Sequence, residues 1–291
     1  MGAAGDDGAD EPPRVHVITY ATHSHGRFEA LRANPHCRVT VLGWGTEWTG
    51  FFDKVRAIAE FASKVSPNDV VIFVDGFDSV VAQPVARAVD RWQRLYRACP
   101  ILLSKQPALF GCFLDHYINY RIFKGDMNSG MFIGRAWAVR RVFRDMLSVE
   151  KEARGDDQRA LNLVSQRSGV RMAVDSHEFI FKNMTYRERQ GYAESADRYA
   201  AVFHSFPGTV EFARWRRVLW EYSGFVLPDV VTLIVVVVVI TNVWRTMRGS
   251  EAPKRSSEAP PSLLAEEPPA AHAAGCRGPS LAQGGVARAL A

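Results

Sequence analysis

Cysteine is scarce. The 291 residues include four, Cys37, Cys99, Cys112 and Cys276, and no two of them form a CxxC pair. A zinc ribbon and a dense disulfide framework are therefore excluded as readings. A charge of one sign is also missing: 36 Lys and Arg stand against 31 Asp and Glu, a formal +5 with no polybasic block. No nucleic-acid partner is expected on that balance. The turn after the first apolar run, Tyr20-Ala21-Thr22-His23-Ser24-His25-Gly26, has neither GxGxxG nor GxxxxGK[ST], which removes the support for dinucleotide and P-loop chemistry. Residues 1–14, MGAAGDDGADEPPR, hold no basic stretch followed by an apolar one, and Asp6 departs from a myristoylation pattern. Neither a secretory signal nor a lipid anchor is read there. Apolar residues are not lacking: a composition of 47% hydrophobic and 11% aromatic residues excludes wholesale disorder.

One long hydrophobic run is present. From Phe225 to Trp244 the chain reads FVLPDVVTLIVVVVVITNVW, with a single charge, Asp229, near its start. A helix of that length spans roughly 30 Å, the thickness of a bilayer's hydrocarbon core. The run predicts one transmembrane helix over 225–244. Beyond it, the segment 245–291 holds 6 of the 15 prolines after Gly249 and no aromatic residue, so it is expected to stay disordered, as are residues 1–13. Arg245, Arg248, Lys254 and Arg255 follow the run, whereas Arg216 and Arg217 precede it; the positive-inside bias places the tail in the cytosol and the main domain in the lumen of the endoplasmic reticulum or Golgi. That orientation ordinarily requires an N-terminal signal, and insertion by the tail with a cytosolic domain is the other arrangement. The sequon Asn183-Met184-Thr185 favours the lumen.

Residues 14–222 remain for the soluble domain. Short Val- and Ile-rich runs at Val15–Thr19, Val39–Leu42, Val70–Val74, Ile101–Leu103 and Met131–Ile133 read as buried strands. Between them, Phe28–Ala33, Phe52–Val65, Val85–Tyr96, Trp137–Leu147 and Asp157–Gln166 place apolar residues three and four apart, as helices do. Alternating strands and helices predict an α/β fold, a mainly parallel Rossmann-like sheet with helices on both faces, whose ligands sit at the carboxyl ends of the strands.

The third strand ends in acid: Val74-Asp75-Gly76-Phe77-Asp78. A turn at Gly76 can bring both carboxylates onto one ligand. Two such groups repel, and a hard divalent cation such as Mn²⁺ or Mg²⁺, itself holding a diphosphate, relieves that repulsion. A turn cap on a wet surface explains the same spacing.

Several segments in order resemble the glycosyltransferase domain of the procollagen lysyl hydroxylase/glycosyltransferase family, of GT-A type. They are Val17-Ile18-Thr19-Tyr20-Ala21-Thr22, Gly26-Arg27-Phe28, Val41-Leu42-Gly43-Trp44-Gly45-Thr46-Glu47-Trp48, Lys54-Val55, Phe73-Val74-Asp75-Gly76-Phe77-Asp78, Asn128-Ser129-Gly130-Met131-Phe132-Ile133-Gly134 and Asp156-Asp157-Gln158. The resemblance covers most of residues 15–209. It implies a GT-A-like fold and a UDP-sugar donor, with Asp75, Asp78 and the later His204 as ligands of Mn²⁺ or Mg²⁺. It further implies Thr19, Thr22, Trp48, Lys54, Phe77, Ser129 and Gly130 around the nucleotide and sugar, and Asp156, Asp157 and Asn128 beside the reacting groups. Read without the resemblance, Trp48 and Phe77 are core aromatics, Lys54 is a helix-face lysine, Asp156 or Asp157 caps a helix, and His204 is a packed residue. The family pattern is broken after His204, where a glycine-rich HGNGPxK stretch is replaced by Ser205-Phe206-Pro207-Gly208-Thr209.

The expectation is thus a membrane-anchored, metal-dependent transferase moving galactose or glucose from a UDP-hexose to a hydroxyl on a protein or glycan, with hydroxylysine-type side chains as the family's example. The reading from another class is an inactive membrane-anchored module that binds a nucleotide or a partner.

Overall fold

The computed structural model describes residues 12–107, 116–184, 192, 200–206 and 212–249. The chain divides into two units, 1–234 and 235–291.

The first unit is built on a six-stranded sheet in the order β2-β1-β3-β6-β5-β7. The strands are β1 (Val15–Tyr20), β2 (Val39–Leu42), β3 (Val70–Val74), β5 (Ile101–Lys105), β6 (Met127–Arg135) and β7 (Met172–Val174). A smaller sheet, β4-β9-β8, is made of β4 (Ser79–Val81), β8 (Phe181–Asn183) and β9 (Phe203–Ser205). Every residue of β3 is buried, which is why that strand reads as an unbroken apolar run rather than an alternating one.

Successive side chains on a strand face opposite ways, and two cores follow. Val71 and Phe73 point to one side, with Ile18 and Phe132, and pack under α2 (Phe51–Lys64), α4 (Ala136–Ser148) and α5 (Asp157–Ser165). Val70, Ile72 and Val74 face the other side, where Trp92 of α3 (Val85–Leu95), Leu31 of α1 (Phe28–Arg32) and the paired rings of Phe181 and Phe203 cover them.

Strand direction sets the site. β1 runs parallel to β2 and β3, and β5 parallel to β7, but β6 lies antiparallel to both β3 and β5. The sheet is mainly parallel, as its alternating pattern implies, with one reversed strand. Because β6 is reversed, its first residues lie beside the last residues of β3: Met131 pairs with Val74, and the amide of Asp75 donates to the carbonyl of Gly130. Asn128, Ser129 and Gly130, expected in a loop before a strand at Met131, belong to the strand itself, opposite a bulge at Leu103/Ser104.

The long helix α6 (Phe212–Gly249) contains one apolar stretch able to cross a membrane, Leu227–Met247, slightly displaced from the expected 225–244. Helix continues through 245–249, residues assigned to a disordered tail from composition; residues 250–291, like 1–11, lie outside the described residues.

Candidate active site

At the carboxyl edge of β1 and β3 the chain gathers a polar cluster whose centre is Lys54. Helix α2 turns this lysine inward, so that it is buried instead of lying on the exposed helix face, with its ammonium over the Phe73 ring at 5.6 Å. Its Nζ lies 2.6 Å from Oδ2 of Asp157 and 3.4 Å from Oδ1 of Asp75. Ser129 Oγ donates to the same Asp157 oxygen at 2.7 Å. Residues 54, 75, 129 and 157, from four different elements, thus form one network. No spacing in the sequence states this, because the reversed β6 and the first turn of α5 bring them together.

The electrostatics follow from that geometry. Burial works against the Lys54 charge, but Asp157 and Asp75 outweigh it and hold the ammonium well above its ordinary range. A third of the Asp75 side chain is exposed, yet its carboxyl is hemmed in by protein. Burial, with repulsion from Asp78 and Asp157 against the opposing pull of Lys54, pushes it up to about 7. A β-carbon at Gly130 would stand 2.9 Å from Oδ2 of Asp75 and 2.9 Å from Oδ1 of Asn128; only glycine lets β6 approach this closely.

A second group lies alongside. Asn128 Nδ2 donates to Gln106 Oε1 at 2.9 Å and to Gln158 Oε1 at 3.2 Å, while its Oδ1 accepts from Gly130 N and Ser104 Oγ. Gln106, at the end of β5, belongs to no motif and was invisible in the sequence; Gln158 was signalled only as the last residue of DDQ. Asp156 is the N-cap of α5, its Oδ1 accepting from Arg159 N at 2.7 Å, and Asp157 in the first turn is buried. The two adjacent acids therefore have different work.

The nucleotide-side candidates separate in the same way. Thr19 is buried and its hydroxyl donates to the Val74 carbonyl at 2.7 Å, joining β1 to β3. Thr22 Oγ1 lies 2.9 Å from His23 Nδ1. Trp48 is exposed, 5.7 Å from Tyr20 and edge-on to Phe51, so it is a surface aromatic and not a core one. Phe77 is half-buried between His23 and His25. Arg27, of the Gly26-Arg27-Phe28 segment, donates its amide to the Phe77 carbonyl and stacks 3.8 Å over the Phe206 ring.

Asp78 is close enough to Asp75 to raise that carboxyl's proton affinity, and Asp78 also accepts from Ser205 Oγ at 3.3 Å. Two repelling carboxylates with oxygen neighbours suit a hard divalent cation. His204 is placed differently. It is fully buried on β9, with Nδ1 2.7 Å from the Tyr192 hydroxyl and Nε2 3.2 Å from the Ala201 carbonyl. Burial foremost, then Lys182, against the Ala201 carbonyl, pushes it down to about 4 and keeps the ring neutral. Among the described residues no three His, Cys, Asp or Glu side chains gather as a metal site. Asp75, Asp78 and His204 are not brought into one ligand set, and His204 would have to exchange a present contact for the ion. The donor set fits a metal through its carboxylates only.

The fold is thus a mixed α/β domain whose mainly parallel sheet carries one reversed strand, with acids at the end of β3. The chain belongs to the PLOD GT domain family, whose model matches residues 11–205. A solved structure similar to it is that of mouse xyloside xylosyltransferase 1 in its apo form, at 14% identity and a TM-score of 0.34, with 55% of this chain and 64% of that chain covered. No curated protein matches the chain.

Proposed function

We propose that the domain transfers a hexose, galactose or glucose, from a UDP-sugar to a hydroxyl of a protein or glycan acceptor. The observation that carries this reading is the network of Lys54, Asp75, Asp157 and Ser129 at the edge of β3, in a chain of the PLOD GT domain family. Asp75 and Asp78 would hold Mn²⁺ or Mg²⁺. When bound, such an ion would supply neutralisation of the diphosphate and of the charge on departing UDP.

The protein's own residues carry the rest. Trp48, exposed beside Tyr20, offers a face for the uracil, with Phe77 the second aromatic on that side. The linked amides of Asn128, Gln106 and Gln158 present donors and acceptors suited to sugar hydroxyls. Lys54 neutralises Asp157 and Asp75 and so keeps both acids within one site. Asp157, bound by both Lys54 and Ser129, orients groups around it, and Asp156 fixes the start of α5. The acceptor hydroxyl attacks the anomeric carbon, the bond from that carbon to the UDP oxygen breaks, and the hydroxyl proton leaves to a nearby carboxylate or water. Helix α6 would anchor the enzyme to a membrane. The sequon gives no support to a lumenal domain: Asn183 is buried and its Nδ2 donates to the Lys105 carbonyl at 2.6 Å.

The test is donor consumption. Full-length protein in detergent with Mn²⁺ and UDP-galactose or UDP-glucose should release UDP. Asp75→Asn with Asp78→Asn should remove the release while leaving the melting temperature within a few degrees. A second reading, a binding module without turnover, is favoured by the engaged ring of His204. It predicts that UDP with Mn²⁺ raises the melting temperature, by about 2.7 kcal/mol of stabilisation at a hundred times Kd, while no donor is consumed.

A further inference from the structure

The one acidic residue within the apolar stretch of α6 is not exposed to lipid alone. Asp229, the third residue of the Leu227–Met247 stretch, is bound by a π-helical turn of the transferase domain, Ile118–Phe123. Arg121 reaches it with two nitrogens, Nε to Oδ2 at 2.7 Å and Nη2 to Oδ1 at 3.1 Å, and the Tyr117 hydroxyl donates to Oδ2 at 2.7 Å. Earlier on the same helix, a β-carbon at Gly224 would lie 3.3 Å from Nη1 of Arg154. A side chain that bonds the first turn of a membrane span sits at the membrane surface. Tyr and Arg are the residues that suit this level, with an apolar body and a polar or charged end.

The rest of this face agrees. Tyr120 is 66% exposed, its ring tilted against that of His116, and Lys124 feels the charges of both Arg159 and Arg121. Cations therefore collect where the helix enters the apolar layer. We infer that the Ile118–Phe123 turn, with Tyr120, Arg121, Lys124 and Arg154, lies against the anionic headgroups of the bilayer that α6 enters, held there by the Asp229 clamp. The turn leads directly into β6, and Arg159 of α5 donates to the Ile122 carbonyl at 2.6 Å. The inference rests on α6 spanning a membrane.

The test uses the full chain in nanodiscs of phosphatidylcholine with phosphatidylserine. With the four native cysteines changed to serine, Tyr120→Cys carries an environment-sensitive fluorophore. Doxyl-bearing lipid should quench the label at least twofold more than iodide does, and replacing phosphatidylserine by phosphatidylcholine should at least halve that difference. Asp229→Asn should shift the label toward iodide, and Asp229→Glu, which keeps the carboxylate, should not. A label quenched by iodide as strongly as by doxyl lipid in the otherwise unchanged protein overturns the inference, as does indifference to anionic lipid or to Asp229→Asn. If the chain never enters the nanodisc peak, the membrane reading falls and takes this inference with it; a chain that enters with an iodide-accessible label sinks this inference alone.

Discussion

Lys54 and Asp157 form the most enclosed ion pair of the site, each side chain 8% exposed. Such a pair matters less for its own strength than for what its rupture leaves behind. Lys54→Ala strands Asp157, and a cost of about 3–5 kcal/mol is expected on that ground, read as a lowered melting temperature together with lost donor turnover. An unaltered melting temperature would contradict the buried pairing. Asp69, outside the site, gives a cleaner dependence on pH. Burial resists its charge, but His16 and the amide of Arg14 prevail, and the carboxyl is held below its usual range. A depressed acid contributes stability above its unfolded pKa and loses it as pH falls through the folded one. The protein should therefore lose stability below about pH 4 more steeply than Asp69→Asn, which starts about 1–3 kcal/mol lower at neutral pH.

At the scale of elements, the reversed β6 is the piece on which the site depends. Its start is pinned by Asn162 of α5, which accepts from Met127 N at 3.1 Å and donates to Met127 O at 3.0 Å. A β-carbon at Gly125 would lie 2.1 Å from the Asn162 Oδ1, and Asn162, 1% exposed, has no room to withdraw. Gly125→Ala should displace the beginning of β6, costing about 1–3 kcal/mol and reducing donor turnover more than a core change of equal cost, such as one in α4. Equal losses of turnover for equal losses of stability would show that β6 is not what sets the site. The strand's motif was readable, yet the strand was placed four residues late. Polar Asn128 and Ser129 resemble loop residues until the sheet supplies Ser104, Gln106 and Asp157 as partners.

At the scale of the molecule, the apolar stretch of α6 is the part whose fate depends on solvent. Its side chains from Val235 to Val239 are all about half exposed, an arrangement tolerable in lipid and costly in water. Val236→Lys with Val238→Lys adds about 2.5–3.5 kcal/mol of insertion cost for each lysine near the middle of the span. The double variant should pass to the supernatant on carbonate extraction, whereas the unchanged chain stays in the membrane pellet. Release of the unchanged chain would end the reading of α6 as an anchor.

Apolar runs and periodicity were enough for five of the six strands of the large sheet, all but the three-residue β7, and for the helices beside it and the membrane-length run, because each of these buries or exposes a face that its own residues define. Short strands such as β4, β8 and β9 left no comparable pattern; three residues are too few to show a period, and they pair only because the chain returns from far away. The acids at the end of β3 could be named from their spacing, but not the inward turn of Lys54, the division of labour between Asp156 and Asp157, or the engaged ring of His204. Those were decided by tertiary structure, since the energy of a buried charge or a hydrogen-bonding group is set by which distant partners surround it, and local sequence does not contain them.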